Sequence, residues 1–563
     1  MRTNIIIWTI ILFAFSSCSD FLSYDENSNY LDSDVFATSG RAINVANHVY
    51  SYLQADFIDG SNGLSGASRS AGCDEAEYVW PTSNVHTFYD GTWSSAKTVD
   101  DQWGHYYAGI RAANFFLENG VGLTFDHERF GGDAYHNMLK NYRNYEFEVR
   151  FLRSFYYFEL IKRYNNVPLI KKVLSIEEAS KVEQNSFDEI LKFIVEECDI
   201  VMEHLPITYN DAVYANQTGR ITKAAAMALK SRALLYSASK LHNPDNDLDK
   251  WFEAAKAAHE LIVMSPTLGF SSFPNFESVV SVDNFNSSEI ILSKAIGASN
   301  YPESKNYPIG YEGGNTGNCP TQNLVNSYGM KRGQKYNPDD PYSPSRDPRF
   351  AGTIVFNNAQ FCYSSKVDIS EGSNNGLPAN GATPTGYYLR KFLSKDVSMT
   401  KVSNTTSRHS YPIFRFAEIY LNYAEAMYEI NGLQGLDTEN GLTTTALQAL
   451  NKIRARSGLT LAAYTAANLS TQEDFTKALR TERMAELAFE DHRFWDIRRW
   501  MIGPETTKIV RMRIEKIPDT EPVKYKYTEY ESNNRIWDDK MYFYPIPLTE
   551  MFKNEKLIQN PGW

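Results

Sequence analysis

Apolar residues recur at helical spacing through both ends of the chain and lose that spacing in the middle. The pattern predicts helices over Ser39–Leu53, Asp101–Gly120, Tyr142–Tyr164 and Ser186–Leu205, then Thr222–Lys240 and Trp251–Met264. Ser186 with Glu189 three residues on is a capping box, and Gly120 is placed to end its helix. Trp103, Tyr107, Ile110 and Asn114 share one helical face, which favours packing. Asn243-Pro244-Asp245 breaks one helix before the next begins. A second run of paired helices is predicted over Phe414–Ile430 and Thr443–Arg456, joined through Asn431-Gly432.

From Ser271 to Thr406 the periodicity fails, and Gly, Pro, Asn and Ser are frequent. Glu289–Ala295 and Thr353–Phe356 alternate as short strands do. The segment is too long for an ordinary loop and reads as an irregular lobe set on a helical scaffold. Small residues at Ala225, Ala228 and Ala233 allow close antiparallel approach of the following helix. The paired helices resemble degenerate tetratricopeptide repeats, although the strict repeat consensus is absent. The expected fold is therefore mainly α, with helix pairs as scaffold over 39–270 and 407–563 and a loop-rich lobe with a few short strands over 271–406, all in one domain.

The start of the chain carries a targeting pattern. Arg2 is followed by an apolar run, Ile5–Phe15, too short to span a membrane as a stable helix. Phe15-Ser16-Ser17-Cys18 resembles a bacterial lipobox. Residues 1–17 are the expected signal peptide, Cys18 the expected lipidated residue, and 18–38 a polar, acidic tether. Acyl chains on one residue give stable anchoring because each buried CH₂ contributes about 0.8 kcal/mol.

Charge removes one class of function. The net charge of −12 argues against a nucleic-acid binder, which would show a basic face. Cys18, Cys73, Cys198, Cys319 and Cys362 form no C-x-x-C pair, so no zinc or redox site is expected; a disulfide among the last four stays open. No cofactor or metal-binding motif is expected, and scattered Asp residues without an EF-hand loop leave a structural calcium ion open. Aromatics make up 14% of the chain, with 36 Tyr, 32 Phe and 9 Trp, enough both to fill a core and to line a stacking surface.

Two regions hold candidate binding residues. Gly60–Gly91 is loop-rich and carries Arg69, Asp74, Tyr78, Trp80 and Tyr89. The lobe carries Tyr301, Tyr311 and Asn315, with Tyr307, Tyr328 and Tyr336 beside them. Aromatic rings stack on the apolar C–H face of a pyranose, while carboxylates, Arg and Asn hydrogen-bond its hydroxyls. Trp93 reads as a core anchor, and Trp80, which precedes Pro81, as the exposed ring. Packing of the tyrosines within the lobe is the alternative.

Acids, bases and aromatics are densest in RTERMAELAFEDHRFWDIRRW, Arg480–Trp500. Glu482, Glu486 and Glu490 stand four apart, as on one helical face, and Arg483 is within reach of Glu486. A carboxylate stripe of this kind serves either chemistry or scaffold ion pairing, and ion pairing is the expectation. The stretch resembles the signature of the SusD/RagB family, the cell-surface glycan-binding lipoproteins of Bacteroidetes. Arg480, Glu482, Arg483, Glu486–Glu490, Arg493, Asp496, Arg499 and Trp500 fit its pattern, and Asp491 stands where many members have Gly. Phe151-Leu152-Arg153-Ser154, Tyr156-Tyr157-Phe158, Tyr544-Pro545-Ile546-Pro547 and the closing Gln559–Trp563 resemble further family blocks.

The resemblance implies an outer-membrane, lipid-anchored, surface-exposed protein. It would bind a polysaccharide or oligosaccharide and deliver it, as a lid, to a SusC-like TonB-dependent transporter. The RagB branch implies a peptide-binding lid as the alternative. A glycoside hydrolase would need two carboxylates across a cleft, and Asp74, Glu75 and Glu77 show no specific spacing for that. No H-E-x-x-H, G-x-S-x-G or P-loop occurs, so no enzyme activity is expected.

Overall fold

A computed structural model describes residues 32–563 apart from 212, 213, 215, 216, 271, 272, 283, 286, 363, 364 and 533. The expected signal peptide, Cys18 and the start of the expected tether lie outside the described residues. Among the described residues, no helix is long and apolar enough to cross a membrane.

The longer helices are α1 (Ser39–Tyr50), α2 (Trp103–Asn119), α3 (Asp133–Tyr164), α4 (Phe187–His204), α5 (Lys223–Ala238) and α6 (Leu248–Met264), followed by α7 (Phe416–Asn431), α8 (Ala446–Arg454), α9 (Gln472–Glu486) and α10 (Arg493–Arg499). Each of α3 to α7 packs on the next, so the helix pairs α5–α6 and α7–α8 continue one stack. Ala225, Ala228 and Ala233 are fully buried where α5 meets its neighbours. The capping box at Ser186 and Glu189 starts α4, and Thr445 with Gln448 starts α8 in the same way.

Two helix ends differ from expectation. The first turns of α3 are polar and exposed, so periodicity shows only from Tyr142, although the helix begins at Asp133. Gly120 does end α2, but at φ −98°, not in the left-handed region. Close packing explains that glycine: a Cβ there would lie 2.8 Å from the Phe116 ring and 2.9 Å from Phe36.

The lobe is closed at its root by β2 (Ile290–Ser299) pairing antiparallel with β4 (Ser407–Arg415). Within it, β3 (Asn318–Pro320) pairs antiparallel with β1 (Ala76–Tyr78). The short strand expected at 353–356 is confined to Ile354–Val355, paired with Tyr388–Leu389. A hairpin of β5 (Val510–Ile517) and β6 (Lys524–Glu531) was not expected from the sequence. It lies on the lobe, with Tyr527 packed edge-on to Tyr342 at 5.0 Å and Met512 N–H bonded to Thr385 O.

One hydrophobic cluster runs from Ala42 to Leu557 and joins scaffold to lobe. Beside it lies the ion network of the Arg480–Trp500 stretch. Glu486 accepts hydrogen bonds from Arg349, Arg415 and Arg456, all buried. Burial raises its carboxyl, but the three guanidinium groups outweigh that and hold it far below the ordinary range. The stripe is thus scaffold ion pairing, with two corrections. α9 ends at Glu486, and Glu490 sits in a turn where Phe489 and Asp491 have φ of 58° and 60°. Glu490 therefore leaves the helical face and meets Lys391 and Arg415. Arg483 does not pair with Glu486 but grips Asp496 at 2.9 and 3.1 Å, because Glu486 is already enclosed by arginines. Cys73, Cys198, Cys319 and Cys362 are all buried and free.

Candidate ligand-binding face

The β1–β3 pair decides where the candidate residues go. Tyr78 pairs with Asn318, and the next residue, Val79, donates its N–H to Gly317 O at 3.1 Å. Loop 60–91 and lobe segment 301–320, treated as separate banks in the sequence, are thereby one surface.

Trp80 leaves the end of β1 half-buried. Its Nε1–H donates to Asn315 O at 2.7 Å, and its own carbonyl contacts His86 Nε2 at 2.9 Å. The ring edge lies on Gly381, where a Cβ would come within 2.8 Å of it. Asn315 is exposed and donates through Nδ2 to Ser304 O at 2.9 Å. Tyr301 is half-buried, with its hydroxyl over Gly60, where a Cβ would be 2.5 Å away, and Lys305 Nζ 5.5 Å from its ring. Tyr311 is half-buried and its hydroxyl shares a 2.8 Å hydrogen bond with Ser365 Oγ. Tyr89 is half-buried beneath Arg535, 4.1 Å from its ring, and its hydroxyl bonds His86 Nδ1 at 2.6 Å. Burial raises the hydroxyls of Tyr89, Tyr301 and Tyr311, so all three stay neutral donors at ordinary pH.

Three of the eight predicted residues are in the interior instead. Arg69 is 3% exposed and bonds Asp100 at 2.7 and 3.0 Å, with Asp491 at 3.2 Å. Asp74 is 5% exposed and is held by Arg493. Tyr78 is buried, donates to Ser65 O at 3.2 Å, and burial pushes its hydroxyl up to about 12. For Arg69 and Asp74 the reason is charge pairing, with Asp100 and Asp491 and with Arg493 respectively, whereas Tyr78 is enclosed as part of the β1–β3 pair. Tyr307 and Tyr328 are also buried, whereas Tyr336 is 46% exposed. Trp93 is 3% exposed, as a core anchor should be.

Residues outside the expectation complete the surroundings. Asn375 Oδ1 accepts the Gly310 N–H at 2.9 Å and so fixes the turn before Tyr311. Arg511 of β5 grips Glu77 at 2.7 and 2.6 Å, setting the hairpin against β1. The alternation KYKYTEYE over 524–531 is the signal that would have found that hairpin.

Trp80, Tyr89, Tyr301 and Tyr311 are each half-buried and Asn315 is exposed. A cleft of about 680 Å³ between α1 and α2, lined by Arg41, His48, Tyr52, Arg111 and Phe115, contains none of the eight. Among the described residues, no group of three or more His, Cys, Asp or Glu side chains is arranged to hold a metal ion.

Residues 277–563 match the model of the SusD family, and residues 28–235 match a model described as starch-binding associating with outer membrane. The chain belongs to the SusD/RagB family. SusD-like protein P25 of Formosa agariphila is 24% identical over 579 residues, covering 99% of this chain and 98% of its own. A SusD-like protein of Bacteroides fragilis NCTC 9343 superposes with a TM-score of 0.75 at 27% identity, covering 94% of this chain and 98% of that one. A laminarin-binding SusD-like protein has the same fold at 21% identity, with a TM-score of 0.63 and coverage of 93% and 99%. The mainly helical SusD-like fold is thus shared along nearly the whole chain.

Proposed function

We propose that this SusD-family chain is a surface lipoprotein, acylated at Cys18 and with residues 39–563 as one domain. It binds a polysaccharide or oligosaccharide and delivers it to a SusC-like TonB-dependent outer-membrane transporter. The observation that carries the reading is the β1–β3 pairing together with the Trp80 Nε1–H bond to Asn315 O, which brings the half-buried indole beside the lobe segment that carries Tyr301 and Tyr311. A set of half-covered rings suits an extended chain, each sugar adding a small stacking contribution. A modest affinity also permits release to a transporter. The family description and the laminarin-binding relative point the same way.

Hydrolysis has no support in the same region. Asp74 is held by Arg493, Glu77 by Arg511, and Glu75 by Ser70 Oγ and the Phe489 N–H. Each acid proposed for catalysis is therefore committed to a protein partner.

Affinity electrophoresis and calorimetry against a polysaccharide panel test the reading, using the soluble chain without Cys18. Trp80→Ala is expected to weaken binding by about 1–2 kcal/mol without loss of fold. Binding to oligopeptides and to no glycan would replace this reading with a peptide-binding lid. Release of sugar products would overturn the non-enzymatic one.

A further inference from the structure

The helical scaffold holds a second cavity whose lining carries opposite charges that do not meet. It measures about 350 Å³ and lies between α7, α9, the α5–α6 connection and Trp500. Helical spacing builds it: Glu425 and Glu429 are four apart on α7, and Thr476 and Arg480 four apart on α9, so each pair faces the same space. Trp251, Phe475 and Leu479 give it buried apolar walls.

The charges differ in how well they are satisfied. Glu425 is fully engaged, by Arg499 at 2.5 and 2.7 Å and by Trp500 Nε1 at 2.6 Å. Glu429, half-buried and one turn further on, has no hydrogen bond or ion pair among the described residues. Burial and the neighbouring Glu425 charge push its carboxyl above the ordinary range. Arg480 makes no hydrogen bond to the described residues. Its guanidinium lies 5.2 Å from the Trp500 ring and 3.6 Å from Glu505, whose side chain is 67% exposed. An ion pair to so exposed a partner contributes little. Glu429 and Arg480 do not pair with each other, although both line the one cavity.

We propose that this cavity is a second ligand site for a small zwitterion, a free amino acid or dipeptide, with its ammonium group on Glu429 and its carboxylate on Arg480. Charge-assisted hydrogen bonds at both ends would satisfy the two underpaired groups together. A neutral sugar would leave Glu429 without a counter-charge and Arg480 with only the exposed Glu505. The volume is at the small end of the usual range for ligand sites, about 300–1,000 Å³, which suits one or two residues and not a longer peptide. The apolar walls favour an aliphatic side chain branching from the backbone that carries the two charged groups.

Calorimetry of the full chain in detergent micelles tests this, with leucine, Leu-Leu and the doubly blocked N-acetyl-Leu-Leu-amide as probes. Leucine or Leu-Leu is expected to bind with a Kd below about 10 mM. The blocked peptide should give no saturable heat. Glu429→Gln and Arg480→Gln should each weaken binding about tenfold or more, and Trp80→Ala should leave it unchanged. Glu429→Gln keeps shape and size, so it decides the matter if Arg480→Gln fails to fold. Absence of saturable heat up to about 20 mM overturns the proposal. So does equal binding of the blocked peptide, or indifference to Glu429→Gln. Because Trp80 is on the other surface, loss of glycan binding and loss of zwitterion binding are read separately.

Discussion

Arg493 grips Asp74 through two hydrogen bonds, 2.9 Å from Nε to Oδ1 and 2.7 Å from Nη2 to Oδ2, across 419 residues of sequence. The pair ties loop 60–91 to the first turn of α10 and lies away from solvent. Removing one partner leaves the other charge buried alone, so Asp74→Ala should cost about 3–5 kcal/mol in urea unfolding. The double variant Asp74→Ala with Arg493→Met should recover part of that loss. Glycan affinity, measured well below the melting point, should not change. A variant that kept its stability and lost its glycan would return Asp74 to the ligand site.

Glu75 makes the same seam sensitive to pH. Burial raises its carboxyl to about 7, against an ordinary 4.5, although the Phe489 N–H and the Ser70 hydroxyl donate to it. Below pH 4.5 the group is protonated in both folded and unfolded chains, and its contribution is fully present. As pH rises toward 7 the unfolded chain ionises first, so the contribution is lost through that window and is flat above it. Glu159, held down to about 2 by Lys162 and Arg163 against its burial, loses its contribution only in more acid solution. Glu75→Gln keeps the acceptor oxygen and removes the titration. Its stability relative to the parent should therefore grow by about 2 kcal/mol between pH 5 and pH 7.5. Chemical denaturation at four pH values reads this, and a pH-independent difference between the two proteins would refute it.

Gly381 supports Trp80 from below. Its φ is 76°, and a Cβ would press within 2.8 Å of the indole. Gly381→Ala should cost about 1–2 kcal/mol from the backbone alone and push the ring off its seat. Glycan affinity should fall although residue 381 need not touch the ligand. The indole Nε1–H would also lose its bond to Asn315 O, which a shift in tryptophan emission can follow. Unchanged affinity beside a measurable loss of stability would show that Trp80 is not a stacking platform.

The scaffold was legible because its helices announce themselves locally. The capping box at Ser186, the alanines of α5 and the Asn431-Gly432 stop act over a few residues, and the structure follows them closely. The candidate site was legible only in part, because burial of a charged residue depends on partners far along the chain. Arg69, Asp74 and Trp80 look equally available in the loop sequence. What separates them is Asp100 and Asp491 for the first, Arg493 for the second, and only a backbone carbonyl for the third. Nothing within a few residues of Asp74 reports Arg493. The joining of Tyr78 to Asn318 across the lobe is non-local in the same way.

Asp491 tests how the family signature tolerates change. Its φ of 60° is a left-handed backbone conformation that favours Gly over a residue with a Cβ. The aspartate returns something for that strain: Oδ2 lies 3.2 Å from Arg69 and 3.6 Å from Lys162. Neither cation depends on it, since Arg69 keeps Asp100 at 2.7 Å and Lys162 keeps Glu159 at 2.7 Å. The other oxygen, Oδ1, is buried with no hydrogen-bond partner, which is unfavourable. Asp491→Gly therefore relieves a backbone worth about 1 kcal/mol and an unsatisfied acceptor, and gives up a supplementary ion pair. The two sides nearly cancel, so stability should move by less than about 1 kcal/mol in either direction. Adding Asp100→Asn should then be far more damaging than in the parent, because Arg69 would retain only Asp56, 3.7 Å away, as its ionic partner. A double-mutant cycle over the two acids measures that coupling. Additive losses would mean that Arg69 does not draw on both carboxylates at once.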